Sequence, residues 1–221
     1  MSKEKIIRTS IPIFTIGDSS TGKTCLLSVY ADDDFDKVKM STIGIDFFTK
    51  NIKLPNGKKC SIKLWDTAGQ ETYRSIALNN IKISLGIVLV YDITQLKTFQ
   101  NIRNWINIIS DSVNIEEVPL LFIGNKIDLN EHREVNKEDG EKLANEYKGL
   151  FFETSAKEKI NVNEAFDNLV ENIYNTYNDQ FNLHNNDKNN NINIKKIVSE
   201  FTILNLEEEE NVLYTKQKCK I

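Results

Sequence analysis

The chain has 221 residues, 40% of them apolar and 27% charged, with 28 basic against 32 acidic side chains and a formal net charge of -4. That length suits one domain of ordinary size with an appendage, and a pI near 5.4 excludes a general nucleic-acid binder, which carries a basic stripe and a pI above about 9. No apolar run approaches the roughly 18 residues of a membrane span, and three scattered cysteines, Cys25, Cys60 and Cys219, lack metal-ligand spacing and fit a reducing, cytoplasmic setting.

The first apolar run, Ile11–Ile16, predicts a strand. It passes directly into Gly17-Asp18-Ser19-Ser20-Thr21-Gly22-Lys23-Thr24, which must be retained, so it is not a cleaved signal. This octet satisfies G-x-x-x-x-G-K-[ST] between a predicted strand and a helical pattern that follows Gly22. Backbone N–H groups at a helix N-terminus surround phosphate oxygens, Lys23 adds a point charge, and Thr24 offers a hydroxyl to magnesium. The alternative is a strand-helix turn with no ligand, and the context disfavours it.

Strands are next expected over Ile43–Leu54 and Lys58–Asp66, and Leu54-Pro55-Asn56-Gly57 between them signals an antiparallel hairpin. The second of these ends in Trp65-Asp66-Thr67-Ala68-Gly69-Gln70-Glu71. Asp66 there can hold magnesium through water, or merely cap a helix. Gly69 lets the backbone swing an N–H toward a terminal phosphate. Leu85–Asp92 reads as a further strand, and Phe99, Ile102, Ile106, Ile109 and Val113 recur at helical spacing.

Val118–Gly124 predicts the fifth strand, followed at once by Asn125-Lys126-Ile127-Asp128. A carboxylate at Asp128 can accept from the N1–H and the exocyclic amine of guanine, whereas adenine would leave the charge unpaired. A weaker helical pattern covers Lys137–Tyr147. Leu150–Thr154 is the sixth strand, running into Ser155-Ala156-Lys157, and Val162, Phe166, Leu169, Val170, Ile173 and Tyr177 mark a last helix. Strand-helix alternation of this kind implies an open, doubly wound α/β sheet whose ligand sits at the carboxyl ends of the strands. The domain is read as residues 8–177. Residues 178–221 form an appendage that begins with eight asparagines in sixteen positions, contains an amphipathic fragment, Ile194–Leu206, and an acidic block, Glu207–Glu210, and is expected to be mostly disordered.

The four motifs, in this order and spacing, resemble the Ras superfamily of small GTPases from about Ile11 to Tyr177. Within it, Ser41-Thr42-Ile43-Gly44-Ile45-Asp46-Phe47, Lys63–Glu71 and Leu89-Val90-Tyr91-Asp92-Ile93-Thr94 are similar to the Rab family. The resemblance implies a P-loop NTPase fold: a six-stranded, mostly parallel sheet with one antiparallel strand and helices on both faces. It also implies a GTP/GDP and magnesium site. Asp18, Ser19, Ser20, Thr21, Gly22, Lys23, Thr24, Cys25, Phe35, Thr42, Gly69, Asn125, Lys126, Asp128, Ser155, Ala156 and Lys157 are the nucleotide residues it assigns. Thr24, Thr42 and Asp66 fall to magnesium, and Gln70 would orient the attacking water. Phe47 and Trp65 match two members of an aromatic trio on the Rab effector surface, with ordinary core packing as the alternative.

The sequence departs from that pattern at Asn80-Ile81-Lys82-Ile83-Ser84, where the third aromatic would stand, at Thr72-Tyr73-Arg74 and at Lys39, all of which bear on effector identity. Its end, Lys218-Cys219-Lys220-Ile221, replaces the usual pair of prenylated cysteines and is one residue short of C-a-a-X spacing. One prenyl chain on Cys219 with Lys216, Lys218 and Lys220 would supply two membrane signals, opposed by the acidic block; an unmodified cysteine is the alternative. Met1-Ser2 does not fit N-myristoylation. The resulting expectation is a monomeric, slowly hydrolysing GTPase switch in vesicle transport. Its partners would be an exchange factor, an activating protein and effectors, and it would reside in the cytoplasm or on the cytosolic face of an intracellular membrane. A scaffold that no longer cycles is the alternative, disfavoured by Thr42, Gly69 and Gln70. A P-loop kinase would need a lid rich in arginine, and Arg8, Arg74, Arg103 and Arg133 form no cluster.

Overall fold

The structure, a computed structural model, describes residues 10–32, 45–57, 59–67 and 81–177. Six strands make one sheet in the order β2-β3-β1-β4-β5-β6. They are β1 (Ser10–Ile16), β2 (Ile45–Lys53), β3 (Lys59–Thr67), β4 (Gly86–Asp92), β5 (Leu120–Asn125) and β6 (Leu150–Thr154). Only the β2–β3 pair is antiparallel. Its turn is closed by the Gly57 N–H donating to the Leu54 carbonyl at 2.8 Å, with Gly57 at φ +82°, a conformation that favours glycine. The doubly wound fold expected from the sequence is the fold observed.

Four helices flank the sheet among the described residues: α1 (Lys23–Tyr30), α2 (Leu96–Ser110), α3 (Lys137–Glu146) and α4 (Val162–Thr176). β4 and β5 are buried along their whole length and β1 from Ile11 onward, which is why these strands read as continuous apolar runs rather than alternating ones. Alternate residues serve opposite faces. Phe14, Leu89, Tyr91 and Phe122 join Ile102, Trp105, Ile106 and Ile109 of α2 and Leu143 of α3 in one core cluster. On the other face α1 packs on α4, with Tyr30 stacked on Phe166 at 4.6 Å, and α4 lies so close to β4 that a Cβ on Gly86 would meet Ile173 at 2.6 Å.

Element boundaries moved by one to three residues. The apolar spacing predicts α2 from Phe99, but the helix begins at Leu96, whose exposed side chain is off the apolar stripe, and ends at Ser110, before Val113. β5 begins at Leu120, directly after Pro119, which lacks the N–H a ladder requires.

Register places the chemistry. Thr15 of β1 pairs with Asp66 of β3, Asp92 of β4 with Asn125 of β5, and Asn125 in turn with Thr154 of β6. The motif residues therefore lie in a row at the carboxyl ends of the strands. Successive connections leave β1 toward both edges of the sheet, so the crevice opens at its end.

Candidate functional site

The phosphate motif is the turn between β1 and α1. Gly17, at φ +146°, passes so close to the Val90 carbonyl of β4 that a Cβ there would overlap it. Gly22, at φ +93°, is the N-cap of α1, and a Cβ on it would overlap the Asn125 amide. Both glycines are thus required by close approach as well as by dihedral angle. Lys23 folds back over the loop, its Nζ donating to the Gly17 carbonyl at 2.9 Å and the Asp18 carbonyl at 2.6 Å. Burial pulls this ammonium down from 10.5 to about 8, against the opposing effect of Asp66 and Asp18. A phosphate group arriving beside it would favour the charged form further. Ser19 and Ser20 sit exposed at the tip of the loop, Ser20 at φ +64°, and Cys25 is a half-buried free thiol.

Thr24 opens α1 beneath the loop, and its Oγ1 donates to Asp66 Oδ2 at 2.6 Å. Asp66 is fully buried at the end of β3, and the neighbouring Thr67 Oγ1 donates to the Thr15 carbonyl at 2.8 Å, which fixes that strand end to β1. A hydroxyl and a carboxylate meeting here form a pair of hard oxygen donors. That set suits magnesium, which takes one or two protein oxygens and keeps several waters. The described residues hold no cluster of three His, Cys, Asp or Glu side chains, so they supply no closed, all-protein metal cage.

At the base end, Asn125 is buried and joins three segments. Its Nδ2 donates to the Thr21 carbonyl at 2.8 Å, and its Oδ1 accepts from Thr154 Oγ1 at 3.1 Å and the Ala156 N–H at 3.3 Å. Ser155 Oγ donates to Asp128 Oδ1 at 2.6 Å while accepting the Glu158 N–H at 3.0 Å. This arrangement orients the Asp128 carboxylate. Lys126, in the left-handed region at φ +73°, reaches back to Asp92 Oδ2 at 2.6 Å. Asp92 is 1% exposed, and its Oδ1 also accepts from the Thr94 N–H and hydroxyl. Ala156 is buried and Lys157 exposed.

Phe35, Thr42, Gly69, Gln70 and Cys219 lie outside the described residues, as do Lys39, the Thr72-Tyr73-Arg74 stretch and the whole of residues 178–221. The two aromatic candidates divide: Trp65 is 5% exposed and stacks on Phe14 at 5.3 Å, whereas Phe47 is 39% exposed on β2. Lys63 lies over both rings, 4.3 Å and 4.2 Å from their centroids. Sequence reasoning missed Asp92, which a strand-end position could have flagged. It also missed Asn101 and Trp105 of α2, whose spacing of four puts them on one helix face toward the phosphate loop.

The chain matches the Ras family over residues 13–175. It is 47% identical over 170 residues to the Ras-related protein Rab-8 of Diplobatis ommata, covering 77% of this chain and 80% of that protein. Ras-related protein Rab-8B of Homo sapiens is also 47% identical over 170 residues, covering 77% and 81%. Ras-related protein Rab-8A of Bos taurus is 48% identical over 161 residues, covering 73% and 77%.

Proposed function

The chain belongs to the Ras family of small GTPases, in its Rab branch, and on that premise we propose how its own residues hold and turn over the nucleotide. It binds guanine nucleotide and hydrolyses GTP. The observation that carries the residue assignment is the meeting, at the carboxyl ends of β1, β3, β5 and β6, of the phosphate loop, the Thr24–Asp66 pair, Asn125 with Asp128, and Ser155.

In this reading the N–H groups of residues 18–25 and the Lys23 ammonium take the β- and γ-phosphates, and Thr24, Thr42 and Asp66 hold magnesium. The ion supplies neutralisation of charge between the terminal phosphates. Lys23 stabilises charge that develops on the phosphate oxygens as water attacks the γ-phosphorus. Gln70 orients that water, and Thr42 and Gly69 contact the γ-phosphate only in the GTP state, so their release reports hydrolysis to effectors. Asp128 reads the guanine edge, Lys126 and Phe35 lie along the ring, and Ser155, Ala156 and Lys157 close over it. No cis arginine lies in the phosphate motif, so intrinsic turnover is slow and an activating protein accelerates it by about 10^5-fold.

As for a Rab protein, the fitting setting is vesicle transport, with an exchange factor, an activating protein and effectors as partners. Among the described residues no helix is long and apolar enough to cross a membrane. Attachment at the cytosolic face of an intracellular membrane would rest on a prenyl chain at Cys219. Cys219→Ser then moves the protein from the membrane fraction to cytosol and removes the lipid mass. An unmodified C-terminal peptide in the wild type would sink the anchor and leave the switch untouched.

Asp128→Asn tests the base assignment. The carboxylate accepts from both guanine donors, while asparagine opposes an N–H to the exocyclic amine. Guanine affinity should fall by about 2–5 kcal/mol, and xanthosine nucleotides, which carry a carbonyl at that position, should bind in preference. Competition against labelled GDP measures both changes, and an unaltered preference for guanine in the mutant would remove Asp128 from the base site.

A further inference from the structure

A carboxylate inside a phosphate-binding loop is an electrostatic liability, since its charge repels the ligand. Asp18 resolves this through its neighbours on α2. Asn101 Nδ2 donates to Asp18 Oδ2 at 2.7 Å and Trp105 Nε1 donates to Asp18 Oδ1 at 2.8 Å. Both oxygens are thereby drawn toward the helix. The backbone of the same residue is equally engaged: its carbonyl accepts from Lys23 Nζ at 2.6 Å and from Thr21 Oγ1 at 3.0 Å. Asp18 thus has its side chain fixed to α2 while its carbonyl positions the phosphate lysine.

Trp105 is 6% exposed and belongs to the core cluster beneath the sheet, so its indole N–H is held by packing rather than by the loop. Asn101 lies one turn earlier on the same face and also accepts from Asn104 Nδ2 at 3.2 Å. The donors are set by the helix, and the loop conforms to them.

We propose that Asn101 and Trp105 are positioning residues of the nucleotide site. They hold the Asp18 carboxylate away from the phosphates and, through the Asp18 carbonyl, hold Lys23 in place, so that nucleotide residence time depends on α2. The proposal rests on assigning the loop to phosphate binding. It adds a dependence on a helix that contributes no motif residue, and it makes α2 a route by which a partner on that helix can loosen or tighten the nucleotide.

The test is the release rate of a fluorescent GDP from the full chain. Trp105→Phe keeps an aromatic ring in the core and removes only the donor. Asn101→Ala removes the other. Each should speed release by about 10- to 150-fold, the range for one charge-assisted hydrogen bond. The distinguishing measurement is a double-mutant cycle: in an Asp18→Ala background, Trp105→Phe should change the release rate less than twofold, because its partner is already gone. Wild-type release from folded Trp105→Phe and Asn101→Ala overturns the proposal. So does an acceleration of equal size with and without Asp18, which would assign the effect to packing alone. Lys23→Ala in the same assay keeps the two questions apart: if it left GDP affinity intact, the phosphate assignment itself would fail, independently of α2.

Discussion

At the phosphate end the central side chain is a buried ammonium, Lys23, desolvated and influenced by Asp66 and Asp18, whereas at the base end the buried hub is a neutral amide, Asn125, with Thr154 beside it. The first arrangement is tuned by desolvation and proton occupancy. The second is tuned by hydrogen-bond geometry, with Asn125 alone making three bonds. One cleft thus grips its ligand in two ways that respond to different perturbations. Titration of Lys23 should be felt at the phosphates and leave base selection alone, whereas deletion of the neutral Asn125 bonds should loosen the base corner together with its tie to the phosphate loop.

The largest effect is expected from Asn125→Ala. It leaves the Thr21 carbonyl, the Thr154 hydroxyl and the Ala156 N–H without their partner in a buried setting. Guanine-nucleotide affinity should fall by about 3 kcal/mol, with a lower unfolding temperature of the nucleotide-free protein. Titration with GDP and thermal unfolding measure the two, and a loss confined to high pH would erase the contrast between the ends.

A change of pH sharpens the contrast from the other side. Lys23 loses its proton near 8 in the folded chain and near 10.5 when unfolded. Between those values the unfolded state binds more protons, so Lys23 contributes stability that rises with pH in the nucleotide-free protein. Phosphate binding runs the opposite way, since the ammonium must regain its proton. GDP affinity should fall by about tenfold per pH unit above 8, while the ratio of guanine to adenine binding stays constant. Affinity that is flat with pH in wild type would show that Lys23 does not face the phosphates.

Thr24→Ala should give a change of about the size of one pH unit of Lys23 titration. It removes the 2.6 Å bond to Asp66 and a hard oxygen donor, and it should weaken magnesium-dependent GDP binding by about 1.5 kcal/mol. Magnesium titration at fixed GDP reads it directly. An equal loss in the presence of chelator would place the threonine's role in the fold rather than in the ion site.

How far the sequence anticipated this can be judged from particular residues. The β1 run, the octet after it and the strand-end positions of Asp66 and Asn125 were visible because apolar continuity and glycine spacing are local signals. The division of Phe47 and Trp65 into a surface and a core ring was not, since both sit in one hairpin and only the neighbouring strand decides which is covered. Nor was the fixing of Asp18, for its donors come from a helix more than 80 residues away. Local patterns reveal which elements form and where a motif lies. Contacts between distant polar side chains follow from packing, which periodicity does not encode.

The contact between Gly22 and the Asn125 amide has a consequence for the shape of acceptable ligands. With no room for even a methyl group between them the phosphate loop and the base corner cannot move closer, and the bond from the Asn125 amide to the Thr21 carbonyl resists their separation. The cleft therefore acts as a fixed caliper. It gauges the span from ring to phosphate, and a nucleotide whose linker is stretched or shortened can satisfy one jaw only by abandoning the other.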